Sequence, residues 1–206
     1  MIQTNGQSIS VTDHFAGGAN VVESLVFSGG ASFAGYALGN TEYALSADDS
    51  GSRDGTSGND IIAGDGLANT INGAGGNDLL FGAAGNDKLT GGAGRDLLAG
   101  GAGGDTFVFA AVAQSGTTAG TRDVIADFQH GIDKIDLSAI DAKSGGSDNA
   151  FLFGGLSTSP IANSVTWYET GDQTIVQLDN NGNKTADMTI ALAGTGLGLT
   201  AGDFIL

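Results

Sequence analysis

Residues 73–105 read GAGGNDLLFGAAGNDKLTGGAGRDLLAGGAGGD, and this stretch decides how the chain can fold. An aspartate returns every nine residues, and the same spacing continues upstream, so that six frames of nine cover residues 55–108. The recurring column is Asp60, Asn69, Asp78, Asp87, Asp96 and Asp105. A flexible Gly/Ser linker has no reason to hold such a period, because nothing in a random coil fixes the spacing of its residues.

Two further columns stay in phase with the aspartates. The first position of every frame is glycine. The eighth position is always apolar: Ile62, Ile71, Leu80, Leu89, Leu98 and Phe107. The residues after each aspartate can form a short strand whose middle residue points inward. A nine-residue unit is too small to bury its own apolar face, so the pattern predicts stacked units that bury a shared column.

The frame GGxGxD also predicts a cation site. Glycines permit positive φ and let backbone carbonyls turn towards one point, and the aspartate adds a carboxylate. These are hard oxygen ligands, which suit Ca²⁺ better than Zn²⁺ or copper. The alternative is a calcium-free β-solenoid whose aspartates only cap turns. Repulsion between stacked carboxylates counts against it, because Lys88 and Arg95 are too few to relieve that repulsion.

Composition limits the partners and the compartment. The chain has 206 residues, with 23 acidic and 7 basic residues and a formal net charge of −16. This charge disfavours binding to nucleic acid and to anionic membranes. There are no cysteines, and no apolar run approaches the roughly 20 residues of a membrane span. The N-terminus lacks a basic region followed by an apolar core, so no Sec-type signal peptide is expected.

The six frames resemble the RTX (haemolysin-type) nonapeptide repeat, whose fold is a right-handed parallel β-roll that binds calcium. In that family two nonapeptides make one coil, and calcium lies between successive coils along one edge. Positions two, four and six of one turn face positions one, three and six of the turn eighteen residues later. The resemblance therefore implies that Asp60, Asp78 and Asp96 lie along one edge and Asn69, Asp87 and Asp105 along the other.

The resemblance implies about four to six calcium sites. One joins Thr56, Gly58 and Asp60 to Gly73, Gly75 and Asp78. A second joins Ala74, Gly76 and Asp78 to Gly91, Ala93 and Asp96. A third joins Ala83, Gly85 and Asp87 to Gly100, Ala102 and Asp105. A fourth would join Asp65, Leu67 and Asn69 to Gly82, Ala84 and Asp87, although Leu67 resists positive φ and Asn69 carries no charge. Asp123 and Asp133 match the aspartates that close the last sites, with Gly92, Gly94 and Asp96 and with Gly101, Gly103 and Asp105.

The last hundred residues resemble the C-terminal domain of serralysin-type metalloproteases. The resemblance rests on DTFVF (105–109), DVIADF (123–128), GIDKIDLSAI (131–140), DNNGN..AD (179–187) and the final DFIL. Alternation in VTWYE (165–169), TIVQL (174–178) and MTIAL (188–192) predicts antiparallel strands with one buried face. The terminal Asp203, Phe204, Ile205 and Leu206 resemble the signal of type I secretion substrates; an ordinary last strand is the other interpretation.

The segment DNNGNKTAD (179–187) has two interpretations. Asp179, Asn181, Asn183 and Asp187 have the spacing of a calcium loop, but the segment fails the EF-hand pattern. Asn181-Gly182 between two strand-like runs is also a strong hairpin signal, and we favour the turn.

The N-terminal residues predict a flanking β unit. SISVTDHF (8–15) and NVVESLVF (20–27) alternate like strands and resemble modules that precede repeat blocks in large RTX proteins. We therefore expect an all-β chain in three parts: an N-terminal β cap (1–54), the calcium-binding roll (55–108) and a serralysin-like β domain (109–206).

No catalytic motif appears in the sequence. There is no HExxH, no GxSxG and no cysteine, and the two histidines, His14 and His130, are far apart. We expect a non-catalytic, secreted bacterial module that folds on calcium outside the cell, with the type I secretion machinery and possible upstream catalytic domain as partners. The alternatives are a module that binds an anionic polysaccharide, as in mannuronan epimerases, and an adhesin fragment.

Overall fold

The computed structural model describes residues 51–143 and 149–206, together with the strand backbones within residues 1–42. Those early strands are β1 (Ile2–Thr4), β2 (Gln7–Thr12), β3 (Val21–Val26), β4 (Ser32–Ala37) and β5 (Thr41–Glu42). The strands of the repeat region are β6 (Ser52–Asp54), β7 (Asn59–Ala63), β8 (Thr70–Asn72), β9 (Leu79–Ala84), β10 (Lys88–Thr90), β11 (Leu97–Ala102) and β12 (Thr106–Val108).

The remaining strands are β13 (Asp123–Ile125), β14 (Lys134–Asp136), β15 (Leu152–Leu156), β16 (Ser164–Thr170), β17 (Gln173–Leu178), β18 (Met188–Ala193) and β19 (Phe204–Ile205). Two short 3₁₀ turns, Val112–Gln114 and Ala201–Asp203, complete the elements. The all-β prediction is confirmed. In the described part of the chain, no helix is long and apolar enough to cross a membrane.

The repeat strands alternate between two sheets and pair in parallel within each. A six-stranded sheet has the order β19-β14-β12-β10-β8-β6, and a nine-stranded sheet has the order β15-β16-β17-β18-β13-β11-β9-β7-β5. Ile71 pairs with Leu89 in the first sheet, and Leu80 pairs with Leu98 in the second. Both pairs are eighteen residues apart, so each coil gives one strand to each sheet, which confirms the predicted parallel β-roll.

The eighth column forms the interior of this roll. Its six members, Ile62 to Phe107, are each at most 1% exposed. The stack continues through Ile125 on β13 and Ile135 on β14, which belong to the same core cluster. Burial of this shared column is the main apolar gain of the fold, because no single coil could bury its inward residues alone.

Parallel pairing extends beyond residues 55–108 on both sides. Upstream, Glu42 pairs with Asp60 and Arg53 pairs with Ile71. This register places Glu42 and Arg53 at positions six and eight of two degenerate frames, ALGNTEYAL (37–45) and SADDSGSRD (46–54). The predicted boundary at residue 54 therefore falls inside a continuous ladder, because the glycine period fades before the strand pairing does.

Downstream, the coil lengthens and the pairing persists. Asp96 meets Asp123 across 27 residues, and Asp105 meets Asp133 across 28 residues. Loops inserted into the coil account for the longer spacing, so the boundary at residue 108 also lies within the ladders. The three-domain division remains a prediction.

The C-terminal strands complete both sheets. β16, β17 and β18 pair antiparallel, which confirms the three strands predicted at 165–169, 174–178 and 188–192. β18 also pairs in parallel with β13, and β19 pairs in parallel with β14. Trp167 lies in the core at 8% exposure, on the buried face that the alternation predicted for this strand.

The N-terminal strands β1 to β4 form a separate antiparallel sheet. β2 and β3 confirm strands within the segments predicted at 8–15 and 20–27. The other residues of those segments, including His14, lie outside the described residues. The role of this sheet as an end cap stays a prediction.

Candidate metal centre

One carboxylate oxygen of each column aspartate after Asp60 connects two coils. On the first edge, the backbone N–H of Asp60 donates to Asp78 Oδ1 (2.8 Å), that of Asp78 to Asp96 Oδ1 (2.9 Å), and that of Asp96 to Asp123 Oδ1 (2.9 Å). The aspartates therefore form one continuous chain of hydrogen bonds along this edge.

The second edge repeats the arrangement. The N–H groups of Asn69, Asp87 and Asp105 donate to Oδ1 of the aspartate one coil later, at 2.8 to 2.9 Å. The last acceptor of this edge is Asp133. The structure thus brings Asp123 and Asp133 to the ends of the two aspartate rows.

The second carboxylate oxygen has no hydrogen-bond partner at five positions. The five oxygens are Oδ2 of Asp78, Asp87, Asp96, Asp105 and Asp123. Each of these residues is at most 1% exposed. A buried charge without a partner is costly, so these oxygens need either a proton or a cation.

The pKa values of these aspartates reflect the same cost of burying a charged carboxylate. Burial raises the pKa of Asp123 to about 9 and that of Asp78 to about 8, and the neighbouring carboxylate of Asp96 adds to both. Burial also raises the pKa of Asp87 and Asp96 to about 6. The backbone N–H bonds that these groups accept offset only part of the effect. Without a cation, the fold therefore favours protonated carboxyls on its edges.

The first-position glycines make room for these oxygens. A Cβ on Gly73 would collide with Asp78 Oδ2 and would lie 2.5 Å from the carbonyl oxygen of Gly91 in the next coil. A Cβ on Gly82 would meet Asp87 Oδ2 and the Gly100 carbonyl in the same way. The invariant column thus lies where a carboxylate oxygen and a carbonyl oxygen converge.

Backbone carbonyls of neighbouring coils also lie close to positions two and four. Gly92 and Gly94 have φ of +102° and +136°, and a Cβ on either would collide with the carbonyl of Ala74 or Gly76 one coil earlier. Ala74 and Ala83 also have positive φ, 71° and 84°. Alanine tolerates this region poorly, so the coil geometry overrides the local preference at these two positions.

In the first two frames, the corresponding side-chain oxygens accept hydrogen bonds from their own frame. The N–H and Oγ1 of Thr56 donate to Asp60 Oδ2 at 2.7 and 3.1 Å, and the Asp65 N–H donates to Asn69 Oδ1 at 2.8 Å. The buried Arg53 pairs with Asp65 at 3.2 Å. The predicted ligands Thr56, Asp60, Asp65 and Asn69 are thus already hydrogen-bonded, and Leu67 is exposed.

At the end of the second edge, the second carboxylate oxygen of Asp133 also has a hydrogen-bond partner. The Gln129 N–H donates to Asp133 Oδ2 at 2.8 Å. Asp127 accepts the N–H groups of Gly100 (3.0 Å) and Gly101 (2.8 Å), and burial raises its pKa to about 6. Asp127 lies outside the repeat period, so the spacing did not predict it as a site residue.

A second ladder of side chains was also missed. Asn59 Oδ1 accepts the N–H of Asn77 (2.6 Å), and Asn77 Oδ1 accepts the N–H of Arg95 (2.8 Å). Asn86 Oδ1 accepts the N–H of Gly104 (2.9 Å). These asparagines bond to the coil after them, whereas the aspartates bond to the coil before them. The signal was visible, since asparagine occupies position five in three of the six frames.

Backbone carbonyls dominate the donor set of these edges. In the described part of the chain, no three Asp, Glu or His side chains come together as metal ligands. A cation between two coils would therefore meet two carboxylates and several carbonyls. All of these are hard oxygens, which fit Ca²⁺.

The segment 179–187 has the contacts of a turn. Asp179 Oδ1 accepts the N–H groups of Asn181 (3.1 Å) and Gly182 (2.6 Å), and its Oδ2 accepts that of Lys184 (2.5 Å). Asp187 Oδ2 accepts the Asn180 N–H at 2.9 Å. Asn181 and Asn183 likewise accept N–H groups within the loop. The carboxylates of Asp179 and Asp187 therefore stabilise the hairpin turn between β17 and β18.

The C-terminal residues form the last strand of the six-stranded sheet. Asp203 is fully buried and accepts the N–H groups of Thr200 (2.7 Å) and Gly131 (2.8 Å). His130 Nδ1 lies 3.0 Å from both of its carboxylate oxygens. Phe204 is 7% exposed, and its ring centroid lies 5.7 Å from that of Phe153.

The family "Peptidase M10 serralysin C terminal" matches residues 6–206, almost the whole chain. This chain belongs to that family. The family is an RTX-type repeat domain, a class that generally binds Ca²⁺. No curated protein sequence matches the chain.

Two solved structures of repeat modules are similar to this serralysin C-terminal domain. The AlgE6R3 subunit of the Azotobacter vinelandii mannuronan C5-epimerase is 32% identical, with a TM-score of 0.53, over 78% of this chain and 82% of that one. The AlgE6R2 subunit of the same enzyme is 30% identical, with a TM-score of 0.49, over 81% and 91%. Serralysin C-terminal domains and epimerase repeat modules are non-catalytic repeat parts of larger enzymes. This chain is likewise a non-catalytic repeat module.

The raised pKa values predict an inverted pH dependence without calcium. Between about pH 4 and the raised values of 6 to 9, the folded chain binds more protons than the unfolded chain, so its stability falls as pH rises. In calcium-depleted buffer, far-UV circular dichroism should show more β signal at about pH 4.5 than at about pH 7.5. Asp123→Asn should flatten this dependence, and stability that rises over this range would contradict the prediction.

The glycine column predicts a position-specific effect of one methyl group. Gly91→Ala should place a Cβ against Asp96 Oδ2 and raise the calcium concentration at the folding midpoint by about tenfold or destroy folding. Gly120→Ala is the matched control, since its Cβ would meet nothing within 4 Å. Equal calcium midpoints for the two variants, measured by circular dichroism, would refute the steric role of Gly91.

Proposed function

We propose that this chain is a calcium-folded module that is exported unfolded by a type I system and folds outside the cell. The observation that carries the proposal is the row of buried carboxylate oxygens without partners on both edges of the roll. The glycine column supports it, because at Gly73 and Gly82 a carbonyl oxygen of the next coil converges with the carboxylate oxygen.

Three gaps between coils offer a partner-free carboxylate oxygen from both sides. The first joins Ala74, Gly76 and Asp78 to Gly91, Ala93 and Asp96. The second joins Ala83, Gly85 and Asp87 to Gly100, Ala102 and Asp105. The third joins Gly92, Gly94 and Asp96 to Asp123. We infer that these residues hold the calcium ions that matter most for folding.

The other predicted gaps have a free oxygen on one side only. These gaps are Thr56, Gly58 and Asp60 with Gly73, Gly75 and Asp78; Asp65, Leu67 and Asn69 with Gly82, Ala84 and Asp87; and Gly101, Gly103 and Asp105 with Asp133. Their other side is satisfied by Thr56, by Asp65 or by Gln129. They should fill later or stay empty, which lowers the expected number of strongly bound ions to about three.

Calcium would couple binding to folding. Bound Ca²⁺ supplies positive charge that neutralises the carboxylates of two coils at once. Without calcium, the free energy of folding is unfavourable, because the glycine-rich backbone loses much entropy on ordering and the edge carboxylates resist ionisation. Binding free energy then becomes folding free energy. Extracellular calcium modules bind at roughly 10⁻⁴–10⁻³ M, so the chain would stay unfolded in a calcium-poor cytosol.

Export before folding also fits the position of the C-terminal strand. The proposed signal, Asp203 to Leu206, is docked in the six-stranded sheet, with Asp203 and Phe204 buried. A receptor could read these residues only while the chain is unfolded. Secretion of an attached catalytic domain belongs to the same proposal.

Calcium binding is tested by removing one shared carboxylate. Asp96→Asn changes a ligand of two gaps, so we expect about two fewer ions per chain by equilibrium dialysis and a folding midpoint at about tenfold higher Ca²⁺ or beyond. Asp172→Asn, on the exposed β16–β17 turn, is the matched control. Unchanged ion number and midpoint in Asp96→Asn would refute the assignment.

Export is tested in bacteria that carry a type I exporter. Deletion of residues 203–206 should abolish release of the chain into the medium, measured as total antigen on a denaturing gel so that folding does not affect the readout. A variant with Thr170-Gly171 deleted from the exposed turn should still be released. Equal release of the tail-deleted chain would contradict the secretion role.

A polyanionic polysaccharide is the second candidate ligand. The outward face of the six-stranded sheet carries Ser52, Thr70, Lys88, Thr106 and Lys134 in register. Its lysines lie two strands apart, about 10 Å. The similarity to a mannuronan epimerase module favours polymannuronate as the probe. Calorimetry with Ca²⁺ present should show binding that Lys88→Glu weakens at least about fivefold and that Lys143→Glu leaves unchanged; no binding by the wild type would exclude this role.

A further inference from the structure

The two sheets of the roll differ in their outward faces. On the six-stranded sheet, the outward positions are polar, as at Thr70, Asn72, Lys88 and Thr90. On the nine-stranded sheet, positions seven and nine are apolar. The outer apolar cluster comprises Ile61, Ala63, Leu79, Phe81, Leu97, Ala99, Val124, Ala126, Ile175 and Ala191. A β-sheet with two apolar faces needs a covering layer on each.

This outer face is covered. Leu79 and Leu97 are 0% exposed, and Phe81 is 6% exposed. Outward residues of a single parallel sheet stay partly accessible, because their neighbours on the sheet shield only their flanks. All described members of the cluster lie on the nine-stranded sheet or directly after β13. The layer that covers this face therefore lies outside the cluster itself.

Two loop contacts reach the far part of this face. Ser115 Oγ donates to the Thr189 carbonyl at 2.7 Å, and Gln177 Nε2 donates to the Ser157 carbonyl at 2.9 Å. Both contacts lie at strands β17 and β18. β7 and β9, which carry Ile61, Leu79 and Phe81, lie at the other end of the sheet, next to the edge strand β5.

The N-terminal sheet has an apolar face of its own. Its register pairs Ile2 with Ile9, Val11 with Leu25, Leu25 with Phe33, and Val21 with Ala37. These seven residues share one face with Thr4, Gln7, Glu23 and Gly35. The opposite face holds Gln3, Ser8, Ser10, Thr12, Ser24 and Ser32 with Val22, Val26, Ala34 and Tyr36. The first face is the more apolar, as for a sheet that packs on one side only.

The chain connects the two apolar faces directly. Three residues, 38–40, separate the end of β4 from β5, which pairs with β7. Such a connection spans about 10–14 Å with its flanking bonds. Sheets packed face to face lie about 10 Å apart. The connection is thus long enough for β1–β4 to fold back over β7 and β9.

We propose that the sheet β1–β4 packs its Ile9, Leu25 and Phe33 face onto the outer apolar cluster of the roll. The occupant of this surface is the N-terminal segment of the same chain, residues 2–37. In this arrangement the sheet covers a side of the roll, whereas an end cap would cover its first coil. It goes beyond calcium binding, because it needs only the apolar faces and not the edges.

Methyl NOE spectroscopy of the full chain in calcium tests the contact. We expect NOEs from Leu79 and Ile61 to Leu25, Val11 or Phe33. NOEs that appear only between differently labelled chains in a mixed sample would assign the surface to a second copy and overturn the proposal. NOEs confined to the roll itself would overturn it as well.

A matched pair of variants separates this contact from the calcium function. Ala63 and Thr90 both hold position nine of a frame, Ala63 in the outer apolar cluster and Thr90 on the polar outward face. Ala63→Arg should speed hydrogen exchange of the β2 and β3 amides by at least about tenfold, with the calcium midpoint of folding of the roll unchanged. Thr90→Arg should change neither. Unaltered exchange of β2 and β3 in folded Ala63→Arg would refute the proposal.

Discussion

The structure depends on one constraint, the burial of carboxylates between successive coils. Each column aspartate after Asp60 accepts, with one oxygen, the N–H of the coil before it, as Asp96 does from Asp78. That bond fixes the spacing of the coils and also removes the carboxylate from water. The remaining oxygen then requires a proton or a cation, so the element that holds the coils together also makes their stability depend on solution conditions.

The other columns follow from this arrangement. Glycine is needed at position one because the aspartate oxygen occupies the space of a side chain, as at Gly73. The aliphatic column fills the interior between the two sheets, from Ile62 to Ile135. The asparagines at position five add bonds in the opposite direction along the chain. A coil therefore bonds to the coil before it through its aspartate and to the coil after it through its asparagine. The two sets of bonds are not interchangeable.

The sequence predicted the parts of this fold that repeat. The nine-residue period was enough to predict short strands and a shared buried column in stacked units. The resemblance to the RTX repeat implied that these units form a parallel roll. The period could not show that Glu42 and Arg53 continue the ladder, since strand pairing needs only the backbone and one inward side chain. Nor could it show the positive φ of Ala74 and Ala83, which the coil imposes against local preference. Asp127 and Gln129 bond across 26 or more residues or within irregular loops, where spacing carries no signal.

The most direct test of the account is far-UV circular dichroism of the intact chain in chelator, followed by titration with Ca²⁺ and, separately, with Mg²⁺. The account predicts little β signal in chelator at neutral pH and a cooperative gain with Ca²⁺ alone. A chain that is fully folded in chelator would contradict it, because the buried carboxylates would then be stable without any cation.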